Sequence, residues 1–346
     1  MTLGINTDIQ SGDAKKNMIS MRRAIYEDIP SIMNFIDQYW KKDHILARDR
    51  SFFEWQFVDG KQVNMFLAID EDGKIYGIQG VILYSQSDTP DISGSIWKTI
   101  KSNNPMLGIE LGDFMYQQLR ARYTCSPGMS KKATKIYKMM GLVSASLDHY
   151  YRLNERKDYK IAKIRNKIIP PAKNTGYRME PIHSIDEMKE IISEQELAQG
   201  IMSKDYSYIQ KRYFAHPIYQ YDIWKIISLQ GSANSVIITR PEEAQGRKSC
   251  KIIDFYGRES DLGQIAAALD QFMKKYDYEF VDIYSFGIPA DIYEQGGFVR
   301  CDVEDENIIP NYFHPFEQKN VSLDMIDPLI PGMKLFRGDG DQDRPS

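Results

Sequence analysis

The feature that most constrains this chain is that its second half repeats the order of its first. Met21-Arg22 and Tyr177-Arg178 each open a predicted strand, at an offset of 156 (177 − 21). At that offset Ile29, Ile32, Phe35 and Ile36 fall on Ile185, Met188, Ile191 and Ile192, so an amphipathic helix stripe recurs. Tyr137, Gly141 and Leu142 fall on Tyr293, Gly297 and Phe298. Leu107-Gly108 pairs with Leu262-Gly263 at an offset of 155 (262 − 107). Registers that agree within one residue, in one order, predict two copies of one module. For 346 residues that gives two domains of ordinary size. The expected boundaries are a disordered tail 1–17, a first domain 18–170, a linker 171–176, a second domain 177–338 and a tail 339–346. Pro170-Pro171 and Asn174-Thr175-Gly176 supply the linker composition.

Each copy reads as strand, helices, hairpin, strand, helix, strand, helix. In the first copy Met21–Ala24 is a strand, and Asp28 stands at the N-cap of a helix with Pro30 just inside it. Lys41–Arg50 is a polar break carrying His44, and Ser51–Phe57 is a short aromatic helix. Val63–Ile69 and Lys74–Tyr84 flank a turn at Asp70–Gly73. Ser95–Ile100 is a buried strand broken by Lys101–Pro105, and Leu107–Leu119 follows as a helix. Arg122–Cys125 is a short strand, and Ala133–Met140 a helix stopped by Gly141. Val143–Leu153 and Tyr159–Ile164 read as further strands. In the second copy the hairpin is Ile223–Leu229 with Ser235–Thr239. Strand, helix, strand and helix then run over Lys251–Phe255, Leu262–Tyr276, Phe280–Phe286 and Ala290–Gln295, with a last strand at Lys334–Arg337.

Charge and composition exclude several partners. With 44 basic and 48 acidic residues the net charge is −4, which offers nucleic acid no electrostatic footprint. The basic run Arg152–Lys173 reads as a solvated linker or as an attractor of cofactor phosphates, and lacks the interleaved aromatics of an RNA surface. Three dispersed cysteines predict buried thiols of a reducing compartment, and with no apolar run of spanning length the expected location is cytoplasmic. Asp339, Asp341 and Asp343 begin like a calcium loop but lack its glycine and distal glutamate, so no metal is expected.

The order of elements, with Arg22–Ile36, the hairpin around Gly77, Leu107–Leu111 opening the central helix and Tyr137-x-x-x-Gly141-Leu142, resembles the GNAT acyltransferase superfamily. The fold this implies is α/β (α+β): two tandem modules, each a mixed, mostly antiparallel sheet with helices on both faces and splayed central strands. The resemblance implies acetyl-CoA as co-substrate, lying between the splayed strands with its pyrophosphate on the loop before the central helix. The implied contacts are Thr99, Ile100, Lys101, Met106, Leu107, Gly108, Ile109 and Glu110. It implies Tyr137 as general acid, a phenol protonated at neutral pH. It places His44, Asp49, Trp40 and Trp55 on the acceptor side, where the tryptophans suit a sugar face. The plainer readings stand beside these: a core aromatic for Tyr137, a solvated loop for His44 and Asp49, a satisfied half-buried residue for His149 and a turn cap for Asp254.

Two departures count. Asn103-x-x-Met106-x-Gly108 keeps only the last small residue of the family's phosphate loop, and Pro105 removes an amide. The second copy carries Glu259 and Asp261 at that register, which marks it as degenerate. The implied function is N-acylation of a primary amine on a small polar acceptor, an amino sugar for polysaccharide biosynthesis being the candidate. The alternatives are a FemX-like aminoacyl transferase and a non-catalytic acyl-CoA-binding scaffold. Oligomeric state is open.

Overall fold

Strand β1 (Ser20–Arg23) pairs antiparallel with β2 (Met65–Ile69), and β2 with β3 (Ile75–Leu83) through the Asp70–Gly73 turn. The structure, a computed structural model, describes residues 18–139, 141, 143–326 and 330–340, so the tail 1–17 lies outside the described residues. The turn forms because Asp70 Oδ1 accepts the amides of Asp72 and Lys74, leaving Gly73 at φ 82°. Strand β4 (Ile92–Thr99) continues the sheet antiparallel to β3, and β5 (Thr124–Cys125) joins β4 in parallel.

Helix α1 (Ile29–Phe35) and α2 (Arg50–Phe57) cover one face through Ile29, Ile32, Phe52, Phe53 and Phe57. Asp28 precedes α1 as the sequence suggests, but its carboxylate binds Arg22 and the Ile25 amide instead of capping the helix. Helix α3 (Leu107–Leu119) covers the other face and buries Leu107, Leu111, Met115 and Leu119, while Phe114, on the same stripe in the sequence, is partly buried. Helix α4 (Lys131–Met139) follows β5, and Gly141 takes φ 83° just beyond it.

The next strand, β6 (Asp148–Leu153), leaves this sheet. It inserts into the second one, which runs β7 (Arg178–Ile182), β8 (Asp222–Ile227), β9 (Ala233–Ala244), β10 (Arg247–Gly257), β11 (Tyr278–Phe286), β6, β12 (Val299–Arg300). The first half thus supplies a strand to the second sheet, antiparallel to β11 over Asp148–Leu153. In both sheets the first five strands keep one order, four antiparallel and the fifth parallel to the fourth. Helix α5 (Ala266–Tyr276) and α6 (Ala290–Gln295) stand where α3 and α4 stand in the first module.

Two expected features are absent among the described residues. Tyr159–Ile164 is no strand; it makes one bridge, Lys163 to Ile308. The buried Glu279 carboxylate accepts the amides of Lys160, Ile161 and Ala162, taking donors a ladder would need. Nor is 339–346 wholly a tail. Asp339 is buried, and β13 (Leu335–Phe336) pairs with β11 at Ser285 and Phe286. Residues 341–346 lie outside the described residues.

Candidate active site

Strands β4 and β5 share only two register pairs, Ile92 with Thr124 and Ser93 with Cys125. Beyond them β4 runs on to Thr99 with β3 on one side and no described strand on the other. The β3–β4 register slips at the same point, between Gln79 and Val81, opposite Ser95 and Ile96. A bulge at a parting strand turns main-chain groups out of the ladder, the arrangement that a bound amide chain can use. Gly80 fits closely there: a Cβ would lie 2.9 Å from the Ile96 side chain and 3.0 Å from the Phe57 ring.

The far end of the opening holds two aromatic rings. Trp97 on β4 and Tyr137 on α4 have centroids 5.3 Å apart at 38°. The Trp97 indole donates to the Gly108 carbonyl at 3.2 Å and lies so close that a Cβ on Gly108 would meet it at 3.1 Å. Burial, with Asp113 nearby, raises the Tyr137 phenol above its ordinary value, so it carries its proton at neutral pH.

The loop before α3 satisfies its own amides. Asn104 Oδ1 accepts from Met106 N at 2.9 Å, and the Asn104 carbonyl takes Leu107 N. The Met106 carbonyl takes both Ile109 N and Glu110 N. Glu110 accepts from Asn104 Nδ2 at 2.7 Å, so its carboxylate is tied to the loop. A phosphate here would have to displace the Asn104 amide. Thr99 pairs with Gly77, and Ile100 N donates to Tyr76 O at 2.9 Å, so this end of β4 is held by β3. Lys101 and Met106 are exposed and Leu107 is buried.

The acceptor-side candidates divide. His44 is buried; its Nδ1 accepts the Leu46 amide at 3.2 Å and so caps the short helix Ile45–Arg48. Asp49 caps α2 through the Phe52 amide at 2.9 Å. Both occupy positions that helix starts demand. Trp40 lies over His44, with ring centroids 6.2 Å apart. Trp55 lines an open cleft between the modules. Its walls include Phe52, Trp55 and Asp59 of the first module, Asp205, Lys211 and His216 of the second, and Gly340. Ile82 and Leu83 of β3 also line it, and their register partners are Ser93 and Ile92. The cleft therefore reaches the stretch of β3 that pairs with β4 where β4 leaves β5.

Beside it lies a buried charged cluster that sequence reasoning missed. Lys204 Nζ contacts Asp254 at 2.7 Å and Asp339 at 2.8 Å. The Tyr213 and Tyr256 hydroxyls donate to the same Asp254 oxygen at 2.7 and 2.8 Å, and Tyr84 donates to the Asp339 carbonyl at 2.5 Å. Burial opposes the Lys204 charge, but the two carboxylates outweigh it and hold the ammonium well above its usual range; burial raises the Asp339 carboxyl. Asp254 is thus a buried partner of Lys204 and two tyrosines and no turn cap. A second cluster joins His149 Nε2 to Asp282 at 3.0 Å, with Lys251 Nζ on both Asp282 oxygens at 3.0 Å. The signal for both clusters was a charged residue inside an otherwise apolar strand run, as in Lys251–Tyr256.

No family model matches the sequence, and none of the curated proteins matches it. Solved structures do. A GCN5-related N-acetyltransferase from Anabaena variabilis superimposes with a TM-score of 0.55 at 11% identity, over 89% of this chain and 72% of that one. A conserved protein of unknown function from Enterococcus faecalis gives 0.56 at 10% identity, over the same shares. The chain therefore has the GNAT fold, as its order of elements suggested.

Proposed function

We propose that this protein is an acyl-CoA-dependent N-acyltransferase whose first module takes the donor and whose inter-module cleft takes the amine. One observation carries the proposal: β4 and β5 part after Ser93 and Cys125, beside the β3 residues Ile82 and Leu83 that line that cleft. The exposed edge of β4 suits the amide-rich arm of an acyl thioester, which would add to the sheet as a short strand. Main-chain N–H groups beside the bulge would face the oxygen that gains charge as the amine attacks. The C–N bond forms, the C–S bond breaks, the amine loses a proton and the thiolate takes one. Tyr137, held protonated, is the group assigned to supply it. An amino sugar is the acceptor class that family likeness suggests; the two modules correspond to residues 18–170 and 177–338.

The loop at Asn103–Gly108 gives the phosphates less than the family pattern, so donor affinity should rest on the arm more than on the pyrophosphate. Calorimetric titration with acetyl-CoA tests the donor site, and absence of heat at millimolar ligand would overturn it. Tyr137→Phe should lower kcat about a hundredfold while leaving acetyl-CoA binding in place. Binding without turnover in the unmodified protein, whatever the amine, would instead favour a sensor or scaffold.

A further inference from the structure

The polar groups lining the inter-module cleft are not evenly matched. Its carboxylates have partners: Asp59 accepts from Gln86 Nε2 at 2.8 Å, and Asp205 accepts the amides of Gln86 and Tyr208 at 2.8 and 2.7 Å. Asn64 Oδ1 is taken by the Arg23 guanidinium. Two donors are left over. The Trp55 indole Nε1 is shut off from solvent and has no hydrogen-bond partner among the described residues. The Lys211 ammonium sits 5.9 Å from the Trp55 ring centroid, with no carboxylate in ion-pair reach among the described residues. Burial lowers its pKa, which Asp59 only partly offsets. A buried donor without an acceptor costs about 1–3 kcal/mol, and here one such donor, the Trp55 N–H, stands beside a half-buried ammonium with no carboxylate in reach among the described residues, a pairing that suits an acceptor-rich ligand.

We infer that Lys211 and Trp55 form an oxyanion subsite, so that the molecule taken up in this cleft carries a carboxylate or phosphate besides its amine. The inference rests on the N-acyltransferase proposal for the meaning of the cleft, but not for its chemistry. An oxyanion would accept from the ammonium and the indole together, while Phe52 and the Trp55 face pack the body of the ligand. Arg212 and His216 line the same wall and add positive or donor character. An amino sugar without an acidic group would offer these donors only neutral hydroxyl oxygens, which bind an ammonium less strongly than an oxyanion does.

The test pairs probes that differ only in the oxyanion: glucosamine against glucosamine 6-phosphate, and phenylalaninamide against phenylalanine. Binding to the full chain is read by calorimetry, and acylation by thiol release from acetyl-CoA. The oxyanion-bearing member of at least one pair should bind about tenfold to a hundredfold more tightly, and which pair responds separates phosphate from carboxylate. Lys211→Met and Trp55→Phe should each collapse that ratio toward one. Trp55→Phe keeps the ring packing, so it reads the indole N–H alone, and Lys211→Arg should restore part of the preference. Equal binding within both pairs, or a preference that survives both substitutions, overturns the inference. Selective binding with no thiol release upholds the subsite and removes the transferase proposal instead.

Discussion

In the first module β4 leaves β5 after two register pairs, and no strand of the described residues enters the gap. In the second module β10 and β11 part after Ile252 and Ile283, again with a bulge beside the parting, but there the chain's own β13 pairs with Ser285 and Phe286. Gly338 then packs so closely that a Cβ would lie 3.0 Å from Ile253 of β10. Asp339 completes the ion cluster with Lys204 and Asp254. One backbone device therefore serves two ends. Where the gap is filled by a segment of the same chain, the polar groups around it are locked into ion pairs. Where it stays open, the neighbouring cleft holds the Trp55 indole N–H without a partner and the Lys211 ammonium without a carboxylate in reach among the described residues.

The sharpest test of this contrast is Lys204→Met. It leaves Asp254 and Asp339 buried together without their shared cation. Breaking a buried ion pair from one side costs about 3–5 kcal/mol, and here two buried carboxyl groups lose the cation they share. Urea unfolding should show a loss at the top of that range. A loss below about 1 kcal/mol would mean that the cluster does not hold the terminal segment, and the comparison would break.

Amphipathic stripes were the legible part of the fold. Helix α3 spans Leu107–Leu119 and α6 spans Ala290–Gln295 as their sequences suggest, because each carries its own start, stripe and stop. The parting of β4 from β5 was legible only through family likeness. The transfer of β6 to the other sheet was not legible at all. A strand with buried tyrosines reads the same whichever neighbour covers it, and partner choice is a non-local matter. His44 and Asp49 stand at helix starts, where capping explains short polar side chains as well as any ligand does. Lys211 and Trp55 lie far apart in the sequence, and nothing local marks them as neighbours. Asp254 reads as a turn cap and Asp339 as part of a tail because buried carboxylates are rare unless paired, and their shared partner Lys204 is likewise remote.

A smaller effect is expected where the two modules meet. Gly340 packs on the loop after β5, and a Cβ there would lie 2.6 Å from the Pro127 carbonyl oxygen. Both are main chain, so neither can swing away. Gly340→Ala should cost about 1–3 kcal/mol and should disturb the cleft that Gly340 lines. Unchanged stability would show that the terminal segment is not pressed on the first module.

The second module should also carry a pH dependence. Burial lowers the His149 pKa below its ordinary value against the pull of Asp282, with Lys251 and Arg337 reinforcing the lowering. The folded protein thus keeps this imidazole neutral where the unfolded chain takes up a proton. The stability it contributes is whole above the ordinary histidine range, near pH 6.5, and is lost as pH falls below it, at up to about 1.4 kcal/mol per unit for one proton. His149→Gln should flatten that slope between pH 6.5 and 5. An equal slope in both proteins would assign the acid sensitivity elsewhere.

The least costly substitution bears most directly on the open gap. Asn104 holds the first turn of α3 by accepting from Met106 N and donating to Glu110. Removing such a local cap costs about 1 kcal/mol, so Asn104→Ala should lower the melting temperature only slightly. The same change takes away the oxygen that competes with a phosphate for the Met106 amide, and it frees Glu110, whose charge repels one. If the loop touches the donor's pyrophosphate, these effects oppose each other, and the double variant Asn104→Ala with Glu110→Gln should bind acetyl-CoA more tightly than either single variant. If acetyl-CoA affinity is the same in all three proteins, the donor is held by its amide arm along β4 alone, and the first module's phosphate loop is as inert as the filled gap of the second.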